Sequence, residues 1–211
     1  MTPEPAARRP YDTSGRRAAA ERNRGAVIRA CRELLEQDGC QATTVRAVAE
    51  RAGVSVETVY KAFGSKQRLL KTVYDVALAG DDEPVPIGQR PAVRRILATP
   101  DPHRKLTLYA AFVCDLYQRL GGLLAVLAAA DPELAEVAAV TEQERLLGLR
   151  AFVAHLAEEG LLRPGLDPSR AADACWALTS PQLFAQLTRI RNWRAEEYRL
   201  WIADMLTASL L

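Results

Sequence analysis

Between residues 43 and 74 each break in the apolar periodicity falls on a glycine or beside a capping hydroxyl, and that coincidence leaves few folds open. Val45, Val48, Ala49 and Ala52 lie at i, i+3, i+4 and i+7, one face of a helix, with Thr43 or Thr44 ahead of them as N-cap. Gly53 can take the left-handed conformation that ends a helix, Val54 turns back inward, and Ser55 caps a second helix. In that helix Val56, Val59, Tyr60 and Phe63 are expected on the buried side, with Glu57, Thr58 and Lys61 turned outward. Gly64 ends it and Ser65 caps a third helix, whose stripe is Leu69, Leu70, Val73, Tyr74 and Ala77. Two short helices joined by a glycine-bearing turn of three or four residues are the helix-turn-helix arrangement, which presents its second helix to the major groove of DNA.

Upstream, Val27, Cys31, Leu34 and Leu35 repeat at helical spacing from Ala20 to Gln37, and Asp38-Gly39 supplies a stop. Short amphipathic helices of this kind bury one shared core that none could form alone. The competing reading is a generic helical bundle with solvated basic faces. Apolar spacing, cap residues and turn residues agree with one another here, which favours the DNA-binding unit.

The motifs Thr44-Val45-Arg46-Ala47-Val48-Ala49, Ala52-Gly53-Val54-Ser55, Thr58-Val59-Tyr60, Phe63-Gly64-Ser65-Lys66 and Leu69-Leu70 give the stretch from about Ala20 to Tyr74 a resemblance. It resembles the N-terminal domain of the TetR family of transcriptional regulators. The likeness covers about a quarter of the chain, and it departs from the family pattern at Lys61-Ala62, where members often carry an aromatic residue or His before the Phe. The resemblance implies an all-α protein with an N-terminal helix-turn-helix domain and a C-terminal helical domain for effector binding and dimerisation.

Charge divides the chain the same way. Residues 1–72 hold fourteen Lys and Arg against eight Asp and Glu, a net of +6, while the remainder nets −4. A cationic front and a mildly acidic back suit a protein that meets a polyanion at one end. Thr44 and Lys66, at helix N-termini whose backbone NH groups are free, and the Tyr60 hydroxyl are candidates for phosphate contacts. Val56, Glu57, Thr58 and Lys61 are candidates for base edges: Lys61 can donate to guanine, Thr58 can touch a thymine methyl, and Glu57 can accept from cytosine. Ser55, at the cap, and Arg46 complete the set, with Arg46 read equally well as a solvated surface charge.

The first eighteen residues carry Arg8-Arg9 and Arg16-Arg17 with little to bury and are expected to be disordered. Either they form a solvated tail, or they form an arm that follows a narrow minor groove or the neighbouring phosphates. The domain plan is an arm over 1–18, the DNA-binding domain over 19–74, a helix end and linker over 75–90, and an effector and dimerisation domain over 91–211. The linker rests on the acid-, Pro- and Gly-rich run Asp81-Asp82-Glu83-Pro84-Val85-Pro86-Ile87-Gly88. Beyond it, helices are expected over about 91–98, 102–129, 132–159, 169–190 and 194–210. Ser180-Pro181 should kink or restart the fourth.

Tyr109, Phe112, Val113, Leu116 and Tyr117 on one helix, with Trp176 and Phe184 on another, are read either as ordinary core or, following the resemblance, as the lining of an apolar effector pocket. The last two helices carry Leu183, Leu187, Tyr198, Trp201, Ile202 and Met205. They either close their own domain or, as the resemblance implies, form a four-helix homodimer interface. A two-fold dimer would set two recognition helices about 34–36 Å apart and favour a palindromic operator.

Other functions find little support. The longest apolar run, Leu120 to Ala130, is far shorter than the roughly 20 residues that span a bilayer, and the N-terminus lacks a secretory apolar stretch, so a cytoplasmic protein is expected. Cys31, Cys40, Cys114 and Cys175 show no CxxC spacing and read as small apolar residues, with a redox pairing of Cys31 and Cys40 as the alternative. His103 and His155 read as a cap-region residue and a helix-surface residue, and no metal or other cofactor is expected. Phosphate-loop, dinucleotide, zinc-protease and nucleophile-elbow motifs are all lacking, with Gly121-Gly122 read as lying inside a helix. The sequence therefore points to a DNA-binding regulator, a repressor released by a small apolar ligand. A helical small-molecule or protein binding module without DNA-dependent function is the alternative.

Overall fold

The computed structural model describes residues 14–128 and 132–211. Among them the helices are α1 (Ser14–Ala42), α2 (Val45–Ala52), α3 (Val56–Phe63), α4 (Lys66–Ala79), α5 (Pro91–Leu97), α6 (Pro102–Leu120), α7 (Leu123–Ala128), α8 (Pro132–Glu158), α9 (Pro168–Leu178), α10 (Pro181–Ala185) and α11 (Ala195–Leu210). A single 3-10 turn, Ile87–Gln89, precedes α5, and a π turn, Gln186–Ile190, continues α10. No strand occurs among the described residues.

Three hydroxyls cut the head into its short helices. Thr44 Oγ1 accepts from the Ala47 amide at 3.1 Å, Ser55 Oγ from Thr58 at 3.1 Å, and Ser65 Oγ from Arg68 at 3.2 Å. Each such cap is worth about 1 kcal/mol. Gly53 closes α2 at φ 68° and Gly64 closes α3 at φ 78°, a region costly for any residue with a Cβ. Under these turns Val27, Cys31, Leu34 and Leu35 of α1 meet Val48 and Ala49 of α2, Val59 and Phe63 of α3, and Leu69, Leu70 and Val73 of α4 in one buried cluster.

Helix starts in the body repeat one device, an Asp or Ser cap followed by proline at the first helical position. Asp101-Pro102 opens α6, Asp167-Pro168 opens α9 and Ser180-Pro181 opens α10. Proline there forfeits no hydrogen bond, because its missing N–H would have had no partner inside the helix. α6 lies at the centre, with Leu106, Ala110, Val113, Cys114, Tyr117 and Leu120 buried, and α11 packs along it.

Several sequence expectations are corrected. α1 starts at Ser14, so Arg16 and Arg17 lie on a helix, and only residues 1–13 of the expected arm fall outside the described residues. Gly39, at φ 77° and ψ 180°, breaks α1 as the Asp38-Gly39 signal required, but one further turn follows and buries Cys40. The helix expected over 102–129 is two helices. Gly121, at φ 51° and ψ −122°, ends α6, and Gly122 passes so near Glu36 that a Cβ would stand 3.0 Å from its Cγ. Apolar periodicity continues across this pair, which is why the break is hidden in the sequence.

Tyr198 and Ile202, expected at a dimer interface, are fully buried within the protomer. The stripe of α11 that carries them packs on α6 and α9. Leu183, Leu187, Trp201 and Met205 are half-buried, whereas Leu200 and Ile190 are exposed. His155 is likewise no surface residue: its Nε2 lies 2.9 Å from the Nζ of Lys105 and 3.2 Å from the Leu97 carbonyl. Lys105 is completely buried, and its ammonium also donates to the Glu159 carboxylate, which it holds below the usual carboxylate range.

Head and body share α4. Its Lys71 bridges Asp75 at 2.5 Å and Glu144 of α8 at 2.9 Å. At its far end the Leu78 carbonyl accepts from Arg119 Nε of α6 at 3.0 Å, while Arg32 of α1 donates to the Arg119 carbonyl at 3.0 Å. The expected linker is also tied down: Arg90 holds Asp81 through two hydrogen bonds, and Arg24 holds Asp82 through two more.

The four cysteines are buried and form no disulfide. Burial raises the Cys31 and Cys175 thiols to about 12 and Cys114 to about 11, which suppresses the reactive thiolate. We expect no thiol to react with 5,5′-dithiobis(2-nitrobenzoate) at pH 8 in the folded protein and four to react in denaturant. Fast labelling of Cys31 in the native state would revive the redox reading.

Candidate nucleic-acid interface

Successive residues of a helix turn by about 100°, so the eight residues of α3 can be set around its axis. Val59 and Phe63 face the core, and Val56, Tyr60, Glu57 and Lys61 form one continuous outward arc. Val56 and Tyr60 are thus not on the buried side, as apolarity had implied. They are 40% and 50% exposed, because a two-turn helix can seat only one i, i+4 pair against α1 and α2. An exposed valine and tyrosine beside a lysine and a glutamate make a surface with apolar, hydroxyl, donor and acceptor groups within two turns.

Not all candidates are equally placed. Thr58 is half-buried and its hydroxyl shares a hydrogen bond with Ser55 Oγ at 2.9 Å, so both are committed to starting the helix. Thr44 also spends its oxygen on a cap. Arg46 is exposed and paired with Glu50 at 2.9 Å, a solvated pair of small energetic weight. The ammonium of Lys66 reaches back to the Cys40 carbonyl at 3.2 Å, bracing the end of α1.

Sequence reasoning overlooked Arg68. It stands exposed in the first turn of α4, and with Arg22, Arg29 and Lys61 it makes no ion pair among the described residues. By contrast Arg24, counted in the head's positive charge, is committed to Asp82 and lies over the Phe63 ring at 4.9 Å. The signal that separates these arginines is the partner 58 residues away, which no local window contains.

Several of the residues expected to line an effector pocket are in aromatic contact. Tyr109 stacks on Phe152 with centroids 4.2 Å apart and lies 6.3 Å from Phe112, and Tyr117 meets Phe184 at 5.4 Å. Val113 is buried and Leu116 half-buried beside them. Trp176 departs from the group: it is 38% exposed on the outer side of α9, with the Arg145 guanidinium 4.8 Å over its ring. A separate void of about 10 Å³ lies between head and body, among Leu35, Leu70, Val73 and Tyr74 on one side and Leu123, Val126, Leu127, Leu134 and Val137 on the other. Small-molecule sites usually measure roughly 300 Å³ or more, so filling that void with a ligand would force α7 away from α1 and α4.

A helical body carrying a capped helix-turn-helix, with a mixed polar and apolar arc on its second short helix, defines a DNA-binding protein of the helix-turn-helix class. Residues 27–73 match the family model described as bacterial regulatory proteins, tetR family, and the N-terminal domain of this chain is a TetR-family DNA-binding domain. No curated protein matches the chain by sequence. Among solved structures, native NalD, described as the secondary repressor of the MexAB-OprM multidrug efflux pump in Pseudomonas aeruginosa, superposes with a TM-score of 0.72 at 22% identity, covering 92% of this chain and 98% of that one. SmeT in its triclosan complex gives 0.67 at 19% identity, covering 90% and 91%. FadR from Bacillus subtilis in complex with stearoyl-CoA gives 0.67 at 17%, covering 89% and 99%. These likenesses establish the fold of head and body together. Among the described residues no helix is long and apolar enough to cross a membrane.

Proposed function

We propose that the chain is a cytoplasmic transcriptional repressor that binds a palindromic operator as a homodimer and leaves it when a small, largely apolar ligand occupies the body. The observation that carries this reading is the outward arc of α3. Val56 and Tyr60 are large apolar side chains exposed on a helix whose other face is fully used, and the arc they share with Glu57 and Lys61 fits a major groove. Arg68, Arg22 and Arg29, which make no ion pair among the described residues, add positive charge for the phosphates. The domain plan supports the same reading: α1 to α4 form the reading head, and α5 to α11 form the body that receives the ligand and the second copy.

Release is a population shift. The ligand binds better to a dimer whose heads are wrongly spaced, and a coupling of about 1–3 kcal/mol lowers operator affinity roughly 5- to 150-fold. Structural relatives described as a repressor, or as complexes with triclosan and stearoyl-CoA, agree with this assignment. The test is selection of bound duplex from a genomic library, followed by competition with small molecules. A palindromic duplex that is retained and then released by one compound supports the reading. Failure to retain any duplex at low salt favours a binding module that does not act on DNA.

A further inference from the structure

Among the described residues, one buried polar side-chain atom of the body has no bonding partner. The hydroxyl of Tyr198 is buried, in a residue wholly excluded from solvent, and it makes no hydrogen bond to any described residue. Such an orphan is costly and uncommon, because native interiors pair nearly all their buried polar groups.

Its surroundings are aromatic. Phe184 meets the Tyr198 ring edge-on at 4.9 Å, Trp201 lies at 6.2 Å, and Tyr117 lies beyond Phe184 at 5.4 Å. The neighbouring polar groups are already committed. Tyr117 donates its hydroxyl proton to the Thr179 carbonyl, and Arg145 donates to the Trp176 carbonyl at 2.8 Å while pairing with Glu142 at 2.7 Å. The site therefore offers one free hydroxyl and stacking faces, but no uncommitted charge. A charged ligand would be stripped of water there without a counter-ion, which is heavily unfavourable.

We propose that the Tyr198 hydroxyl is the polar anchor of the effector site, and that the effector is a flat, uncharged aromatic molecule bearing a carbonyl-type hydrogen-bond acceptor. This rests on the ligand-released reading above and names the ligand class for it. The ligand enters between Phe184, Tyr117 and Trp201, whose tilted and edge-on rings can pack against its own, and its oxygen accepts the hydrogen bond that the closed core leaves unmade. Occupancy parts α10 and α11 from α6, the helix whose Arg119 holds the end of α4.

The test uses the full chain and two probes of nearly equal shape, 2-acetylnaphthalene and 2-ethylnaphthalene, which differ in the acceptor oxygen. Binding is followed by tryptophan fluorescence in the wild-type protein and in Tyr198→Phe, which keeps the ring and removes the hydroxyl. We expect the wild type to prefer the acetyl compound by about tenfold, the scale of one buried hydrogen bond. In Tyr198→Phe the preference should vanish while 2-ethylnaphthalene binds as before. If Tyr198→Phe fails to fold, the wild-type preference alone decides the ligand class, and deuterium-shifted tyrosine resonances on binding decide the anchor. Equal affinities in the wild type, or a preference that survives the substitution, overturn the proposal. So does a protein that ignores both probes but whose operator binding is released by another compound, which leaves the repressor reading intact. Absence of any operator binding would instead remove that reading.

Discussion

Replacing Val56, Tyr60 and Lys61 together by alanine should leave the melting curve nearly unchanged and lower affinity for a selected operator by about a hundredfold or more. The stability side follows from exposure: none of the three supports the core, and surface substitutions of this kind usually stay within about 0.5 kcal/mol each. Alanine is also the best helix former, so α3 loses nothing in propensity. The binding side follows from the arc. Contacts to base edges contribute about 1–3 kcal/mol each, and a hundredfold loss corresponds to about 2.7 kcal/mol, so even partial engagement of the three suffices. Circular dichroism melting and anisotropy titration at one fixed salt concentration check both halves. A triple variant that binds the operator as tightly as the wild type would mean that another surface reads the DNA.

The opposite signature is expected two residues past the end of that arc. Phe63→Ala should cost about 3–5 kcal/mol of stability, the usual range for emptying an aromatic site in a packed core. Phe63 closes α3 against α1, is 6% exposed, and carries the Arg24 guanidinium on its face, so its loss also removes the ring that supports the Arg24–Asp82 pair. Operator binding should fall with the folded population and return with Phe63→Leu, which refills most of the volume. Urea denaturation gives the energy directly. A loss below about 1 kcal/mol would show that the head does not depend on this contact.

The two substitutions mark how far the sequence can be read. The order of helices in the head was legible because each boundary is chemical and local: Thr44, Gly53, Ser55, Gly64 and Ser65 act on amides within a few residues. The restart at Ser180-Pro181 was legible for the same reason. What the sequence concealed depends on distant partners. Periodicity placed Val56 and Tyr60 inward because they are apolar, yet the width of the supporting surface decides how many stripes of a short helix are covered. It left Tyr198 and Ile202 open between their own core and a second copy, and the resemblance favoured the second copy, because a wide apolar stripe on a terminal helix looks the same whether it meets a partner or α6. Lys105 was invisible as a core residue, since its burial is tolerable only through His155 and Glu159 some fifty residues away. The candidate DNA residues divide likewise. Glu57, Tyr60 and Lys61 stand clear, while Thr44, Ser55 and Thr58 are engaged in caps and Lys66 braces a carbonyl.

The most direct measurement is sedimentation of the full chain with the duplex it selects, against an excess of random competitor. Two chains should travel with each palindromic site, and preference over the competitor should reach about a thousandfold or more, as specific readers achieve. A protein that remains a monomer on the duplex, or that binds selected and random sequences alike, would contradict a pair of reading heads one helical turn apart.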